Sequence, residues 1–444
     1  MRNLILKQVK KSAKEHEVYL QKTEINEVHI QKNKIGFIDK TVDSGYGIRV
    51  HDRGMGFSSS NIFSDSAIKQ TIKNALKSSR MTQKVDFNFP VPKKFKKVKT
   101  IDKSIKNNGE AAVRNYAKQI LKSIPKDILI SFGKVRAYDS QIQIINSEGL
   151  DSRREETNFM LELSIIVEKA GKKVEIWPHE YRRRIKDLPL SNFKRWIKIA
   201  RDQLMAEVPK TERTTVVFSP NTALDGLGSI IGSHSSGAAK VNGISKFSPG
   251  EKVASESLTV ISDGLYPYGL TTNAFDDEGV PQRKNILIDN GIFKDYIYDQ
   301  FYAIKDNRES TGNGFRQGDI FYVFDAKYGL LPNNRISNFY LKPGKKSLQK
   351  LIGEVKHGIL IDNFSWLSPD STSGNFSSEI RDGYYIDNGE ISKPIEGGLI
   401  AGNFFELMRN ISGISNKSNI TSGGTVLAGV CPYVRFDDVQ VAGK

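Results

Sequence analysis

The stretch Phe159-Met160-Leu161-Glu162-Leu163-Ser164-Ile165-Ile166-Val167-Glu168 decides the fold class. Phe159, Leu161, Leu163, Ile165 and Val167 take every second position, with Glu162, Ser164 and Glu168 between them. Side chains alternate sides along an extended backbone, so this period reads as a long strand with one face on a core. Helical periodicities flank it. Val113, Ala117, Ile120 and Leu121 predict a helix over 109–124 that stops before Pro125, and Phe193, Ile197, Ala200 and Leu204 predict another over 191–207. Strands and helices that share one segment in this way imply helices packed on an antiparallel sheet.

Towards the N-terminus the same grammar repeats. Leu6, Val9 and Ala13 predict a helix over 1–17, and Tyr46-Gly47-Ile48-Arg49-Val50 alternates as a half-buried strand. Ile68, Ile72, Ala75 and Leu76 predict a helix over 64–79, with Ser64 or Ser66 as its cap. Between Pro90 and Lys103 lies a dense lysine run beside Pro90 and Pro92, which reads as a solvated linker. Beyond about residue 213 the chain is richer in Gly, Ser and Asn. Turn signals such as Asp289-Asn290-Gly291 and Asp387-Asn388-Gly389 separate short strands there. The expected class is α+β: helices on an antiparallel sheet in the N-terminal half, and mainly antiparallel β in the C-terminal half. The expected divisions are an α+β domain at 1–88, a Pro/Lys linker at 89–107, a middle α+β segment at 108–212 and a mainly-β domain at 213–444.

Composition limits the function classes. The 444 residues carry 66 Lys+Arg against 50 Asp+Glu, a formal net charge of +16, and 38% are hydrophobic. That length can bury full-sized cores. The one cysteine, Cys431, excludes an internal disulfide framework and any multi-thiolate zinc module. No apolar run is long enough for a membrane-spanning helix. Only Leu4, Ile5 and Leu6 form an apolar stretch at the start, so no signal peptide is expected and the expected location is the cytoplasm. The basic residues are otherwise scattered, without the concentrated patch and interleaved aromatics that a nucleic-acid partner calls for, so no nucleic-acid partner is expected from the charge.

Familiar catalytic motifs are missing. A zincin helix needs two histidines one turn apart with a glutamate between them; His179-Glu180 begins that way, but Tyr181, Arg182, Arg183 and Arg184 follow. There is no G-x-S-x-G elbow and no phosphate-binding loop. Cys431 reads as a small buried hydrophobe. The run Asp276-Asp277-Glu278 carries three adjacent carboxylates that suit a hard cation. On an extended backbone at most two of them converge, which favours a turn or a salt-bridged structural element. His234, among the hydroxyls of residues 232–237, lacks an acid at catalytic spacing and reads as a capping or core-edge histidine.

Several segments together resemble the TldD/PmbA family. They are Gly45-Tyr46-Gly47-Ile48-Arg49-Val50 with Gly54-Met55-Gly56-Phe57-Ser58, the run from Tyr268 through Phe275-Asp276-Asp277-Glu278-Gly279-Val280-Pro281 to Tyr296, Ser310-Thr311-Gly312-Asn313-Gly314-Phe315-Arg316, residues 400–411 and residues 432–443. The resemblance implies a zinc metallopeptidase system of two related subunits. In the TldD type a helix carries H-E-x-x-x-H and a cysteine near the C-terminus supplies a third ligand. Here the corresponding stretch, Leu224 to Gly237, holds one histidine, residues 416–421 hold no cysteine, and Cys431 lies too close to the terminal segment. The chain therefore resembles the TldE/PmbA type, which lacks the metal site. That resemblance implies no catalytic or metal-ligating residue here, no cofactor in this chain and zinc in a TldD-like partner. It also implies a hetero-oligomer acting on unfolded peptides, with self-pairing when the partner is absent, and peptide engagement by addition to a sheet edge. The candidate groove or structural cluster is His234, Asp276, Asp277, Glu278 and Arg316. Two other readings are a binding protein for nucleic acid or gyrase that uses the basic charge, and a peptidase with an unfamiliar metal site built on His234 and the acidic run.

Overall fold

The computed structural model describes residues 2–318, 324–423, 426 and 428–444. The opening stretch lies in a strand, β5 (Asp151–Lys169), and Phe159, Leu161, Leu163, Ile165 and Val167 are all buried. They face helices α3 (Lys103–Lys122) and α4 (Leu190–Gln203), joined by Val113, Ala117, Phe193 and Trp196. Met160, on the opposite face, packs with Tyr138, Tyr181 and Leu270. This strand is thus covered on both sides, by its own helices and by the C-terminal half.

Five more strands extend the sheet: β1 (Glu15–Gln31), β2 (Lys34–His51), β3 (Met55–Ser60), β4 (Ile128–Asn146) and β6 (Lys172–Ile176), in the order β3-β2-β1-β4-β5-β6, with β7 (His179–Arg182) also pairing β5. Every pairing is antiparallel. Because β1 pairs both β2 and β4, the strands on either side of residues 89–107 belong to one sheet. Helices α1 (Arg2–Ser12) and α2 (Asp65–Met81) pack on its β2 end. Ser64 caps α2, accepting from Ala67 N. The first helix is shorter than its periodicity suggested, since β1 begins at Glu15 and takes over the run that includes Val18 and Tyr19.

The lysine-rich segment is extended and its lysines are exposed, but it is tied down on both halves. Phe95 lies 4.7 Å from Phe275 between ring centroids, the Tyr268 N–H donates to the Lys99 carbonyl at 3.2 Å, and Asn146 Nδ2 donates to the Pro90 carbonyl at 2.8 Å. A first helical piece of α3 starts at Lys103, within the segment expected as linker, and non-helical backbone at Asn108 (φ −160°, ψ 84°) separates it from the helix expected from 109. The solvated face was legible in the charges; the anchoring depends on partners distant in sequence.

The C-terminal half contains two larger sheets. One has six strands, in the order Ile292–Phe293, Lys284–Asp289, Val260–Asp263, Phe339–Leu341, Gly429–Cys431 and Asn419–Thr421. The other has seven and includes Glu212–Phe218, His357–Phe364, Asn375–Asp387 and Val434–Ala442. Both expected hairpin turns are present, with Asn290 and Asn388 at positive φ. Among the described strands two pairings are parallel, Thr215–Phe218 with Gly358–Ile361 and Phe339–Tyr340 with Gly429–Val430. A helical segment from Pro220 to His234 contributes Leu224, Leu227, Ile230 and Ile231 to a core shared with both sheets. Its middle, Leu224–Gly228, is a π turn, a device often found near functional sites. Gly226 in that turn leaves room for the Phe404 ring, which a Cβ would meet at 2.1 Å.

Candidate functional site

The acidic run does not form a cation pocket. Asp276 folds its carboxylate back on its own turn: Oδ1 accepts from the N–H groups of Glu278 and Val280 at 3.0 and 2.9 Å, and Oδ2 from Gly314 N at 2.8 Å. Asp277 receives Arg154 and the Arg316 backbone N–H, the latter at 2.8 Å. Glu278 receives Arg49 Nη1 at 2.9 Å and Gln300 N at 2.8 Å. Arg49 also grips Glu17, its cross-strand partner, with Nε at 2.9 Å and Nη2 at 2.6 Å, and Arg316 Nη2 reaches the same carboxylate at 2.8 Å. All these side chains are buried. Each acid takes a different direction and finds its own donors, so the structure brings Asp276, Asp277, Glu278 and Arg316 together as a lock between the first sheet and the C-terminal half.

Electrostatics fit that reading. Burial alone raises the Asp277 carboxyl, yet Arg154 and Lys327 hold it below the ordinary range. Burial, with Glu278 nearby, pushes Asp276 well up and Asp299 up to about 8.

His234 sits elsewhere. Its Nδ1 accepts from Lys246 N at 3.1 Å, which leaves Nε2 to donate to the Ser371 carbonyl at 2.7 Å. Both nitrogens are used and the ring packs against Phe247 and Phe405. Burial lowers its pKa, so the neutral ring is favoured. Cys431 is buried on the strand Gly429–Cys431, and burial pushes its thiol up. Neither offers the ready lone pair or thiolate that zinc takes. Among the described residues no group of three His, Cys, Asp or Glu side chains is arranged to hold a metal ion. The residues present do not fit a zinc site of the kind the family's catalytic type uses.

The functional candidate lies instead at the other end of the Pro220–His234 segment. A cleft of 1030 Å³ separates its N-terminal turn from the middle segment of the chain. One wall is residues 176–180 and 182 with the face of α4 that carries Arg195 and Trp196; the other includes Pro220, Asn221 and Asp225, residues 362–367 and residues 418–420. Ser219 sets the junction: its hydroxyl donates to the Asp362 carbonyl at 2.8 Å and accepts from Thr222 N. Strand His357–Phe364 therefore delivers Asp362 to the foot of the helix. Asp362 is held by Arg195, yet burial still raises its pKa. Asp382, on the neighbouring strand opposite Asn363, accepts from Asn363 Nδ2 at 3.0 Å. Burial, with Asp362 beside it, pushes Asp382 up to about 6. His179 on the opposite wall is pushed down to about 4 by burial, then by Lys134.

Among these cleft residues the sequence singled out His179-Glu180, which failed the zincin test, and, through the resemblance, the stretches that hold Asp225 and residues 418–420; Asp362, Asp382 and the tryptophans did not stand out. A faint signal existed: Asp362 ends the apolar run Ile359-Leu360-Ile361, and a carboxylate closing a buried strand is costly unless it has work or a partner.

Comparison with known proteins places this geometry in a family. The model for the PmbA/TldA metallopeptidase C-terminal domain matches residues 211–443, and that for PmbA/TldA metallopeptidase domain 1 matches residues 16–79. The chain belongs to the PmbA/TldA metallopeptidase family. A metalloprotease TldD homolog of Buchnera aphidicola (subsp. Schizaphis graminum) is 38% identical over 173 residues, 39% of this chain and 34% of that protein. The chain spans between about a third and two fifths of the first curated relatives it matches, at 34%, 35% and 40% of their lengths. A metalloprotease of Methanocaldococcus jannaschii is 25% identical over 90% of this chain and 89% of its own. The crystal structure of TldE from Thermococcus kodakarensis superposes with a TM-score of 0.87 at 25% identity, covering 100% of both chains.

Proposed function

We propose that this chain is a non-catalytic subunit of a TldD/TldE-type zinc metallopeptidase that degrades or processes unfolded peptides. The observation that carries this reading is the state of the Pro220–His234 segment: its one histidine has both ring nitrogens bonded within the fold. Zinc hydrolysis needs a metal to acidify water and polarise the scissile carbonyl, and the residues here do not fit that role. In this reading zinc resides in a TldD-like partner, and this chain helps enclose the peptide. One sheet edge borders the cleft, the strand Asn419–Thr421, which among the described residues is the last strand of its sheet. An extended peptide adding to such an edge gains main-chain hydrogen bonds with little dependence on sequence.

Co-expression with a TldD-like homologue tests the proposal. Chelator-sensitive cleavage of an unstructured peptide is expected from the co-purified pair and not from this chain alone. Chelator-sensitive cleavage by the isolated chain would overturn it.

A further inference from the structure

Asp382 is 5% exposed and lines the cleft. Its Oδ2 takes the Asn363 amide, but its buried Oδ1 receives no hydrogen bond. A buried carboxylate oxygen without a donor is costly. The guanidiniums of the cleft do not supply one: Arg195 is held by Asp362, Arg381 donates to the Glu175 carbonyl at 2.8 Å, and Arg182 donates to Glu180 at 2.7 Å. The terminal torsion of an aspartate is broad, so the carboxylate can turn toward a cation in the cleft, exchanging the Asn363 hydrogen bond for one to the ligand.

Charge points the same way. The chain as a whole carries +16, yet this cleft is lined by five carboxylates (Glu180, Asp187, Asp225, Asp362 and Asp382), of which Glu180, Asp187 and Asp362 are paired with Arg182, Arg184 and Arg195, and a fourth guanidinium, Arg381, lies beside Asp382. An acidic cleft in a basic protein attracts cations and repels nucleic acid. All three tryptophans of the chain also line it: Trp196 is buried, while Trp177 and Trp366, on opposite walls, are 53% and 68% exposed. Exposed indoles offer faces to a cation as well as apolar area to its stem.

We propose that this cleft contains a subsite for a cationic nitrogen of an extended peptide, received by Asp382 and flanked by Trp177 and Trp366. The nitrogen belongs to a lysine or arginine side chain or to a free N-terminal ammonium. The proposal rests on the reading of this chain as a peptide-handling subunit, and it adds a charge preference to sheet-edge binding that is otherwise indifferent to sequence.

Because every tryptophan faces the cleft, intrinsic fluorescence reads occupancy in the isolated chain. The probes are a short N-acetylated, C-amidated peptide with a central lysine, the same peptide with norleucine, and the norleucine peptide with a free N-terminus. A saturable change is expected with lysine, with norleucine about 10- to 100-fold weaker, the range of a hydrogen bond to a charged group. D382N, checked for native circular dichroism, is expected to lose the same factor. A gain on freeing the N-terminus supports the subsite with the chain end as its source; no gain supports the side chain. Equal binding of the lysine and norleucine peptides, or no binding of either, overturns the proposal using the wild-type chain alone. A folded D382N that keeps the preference overturns the assignment to Asp382. An active two-subunit complex without a charge preference would sink the subsite only, whereas a charge preference in a chain that supports no peptidase would sink the subunit reading only.

Discussion

At Asp382 stability and binding pull in opposite directions. Asp362, Arg381, Glu396 and Asn363 surround its carboxyl, and burial moves it from 3.8 up to about 6. The folded chain holds this proton more tightly than the unfolded chain does. Its favourable contribution is therefore complete below the unfolded value and lost as pH rises through about 4 to 6. Above that window the ionised group costs the fold up to about 3 kcal/mol, at 1.36 kcal/mol per pH unit. Asp382→Asn is accordingly expected to raise unfolding free energy by about 1–3 kcal/mol at pH 8 and by much less at pH 4. Urea unfolding at the two pH values checks this. An equal change at both would mean that the carboxylate is already neutralised by its neighbours.

Among the elements, the buried lock shows both what the sequence disclosed and what it withheld. Alternation in Phe159–Val167 was readable because one face meets α3 and α4 along its whole length, and the helix periodicities located those partners. The acidic run was readable as a turn or a salt-bridged structural element, but not its partners. Asp277 meets Arg154 from 123 residues away, Glu278 meets Arg49 from 229, and Glu17 meets Arg316 from 299. No local pattern encodes such pairings. For the same reason Asp382 and the tryptophan pair were invisible until two strands and a helix brought them to one cleft, and Asp362 gave only the faint signal of a carboxylate at the end of an apolar run. The lock makes its own prediction. Arg49→Met leaves Glu278 without its guanidinium and Glu17 with only Arg316, so a loss of about 3–5 kcal/mol is expected, the usual result of breaking a buried ion pair from one side. Gly314, where a Cβ would meet Glu278 Oε2 at 2.2 Å, marks how closely the backbone is drawn in. A loss of less than about 1 kcal/mol in chemical unfolding would show that apolar contacts alone join the halves.

For the whole molecule, the fold and the cleft separate two properties that the family name joins. The architecture is that of a metallopeptidase family, with the helix, the flanking sheets and a cleft at the helix foot. In and near the stretches where that family's catalytic type would place zinc ligands, His234 is bonded through both nitrogens and Cys431 is a buried thiol, and among the described residues no three His, Cys, Asp or Glu side chains are grouped to hold a metal ion. The basic surface does not favour nucleic acid at this cleft, whose lining has the opposite sign. The most direct test of the central claim is the zinc content of the isolated chain, purified without chelator and dialysed against zinc-free buffer. The account predicts far less than stoichiometric zinc in this chain, with stoichiometric metal appearing only in a co-purified complex with a TldD-like homologue. Stoichiometric zinc retained by the isolated chain would contradict it.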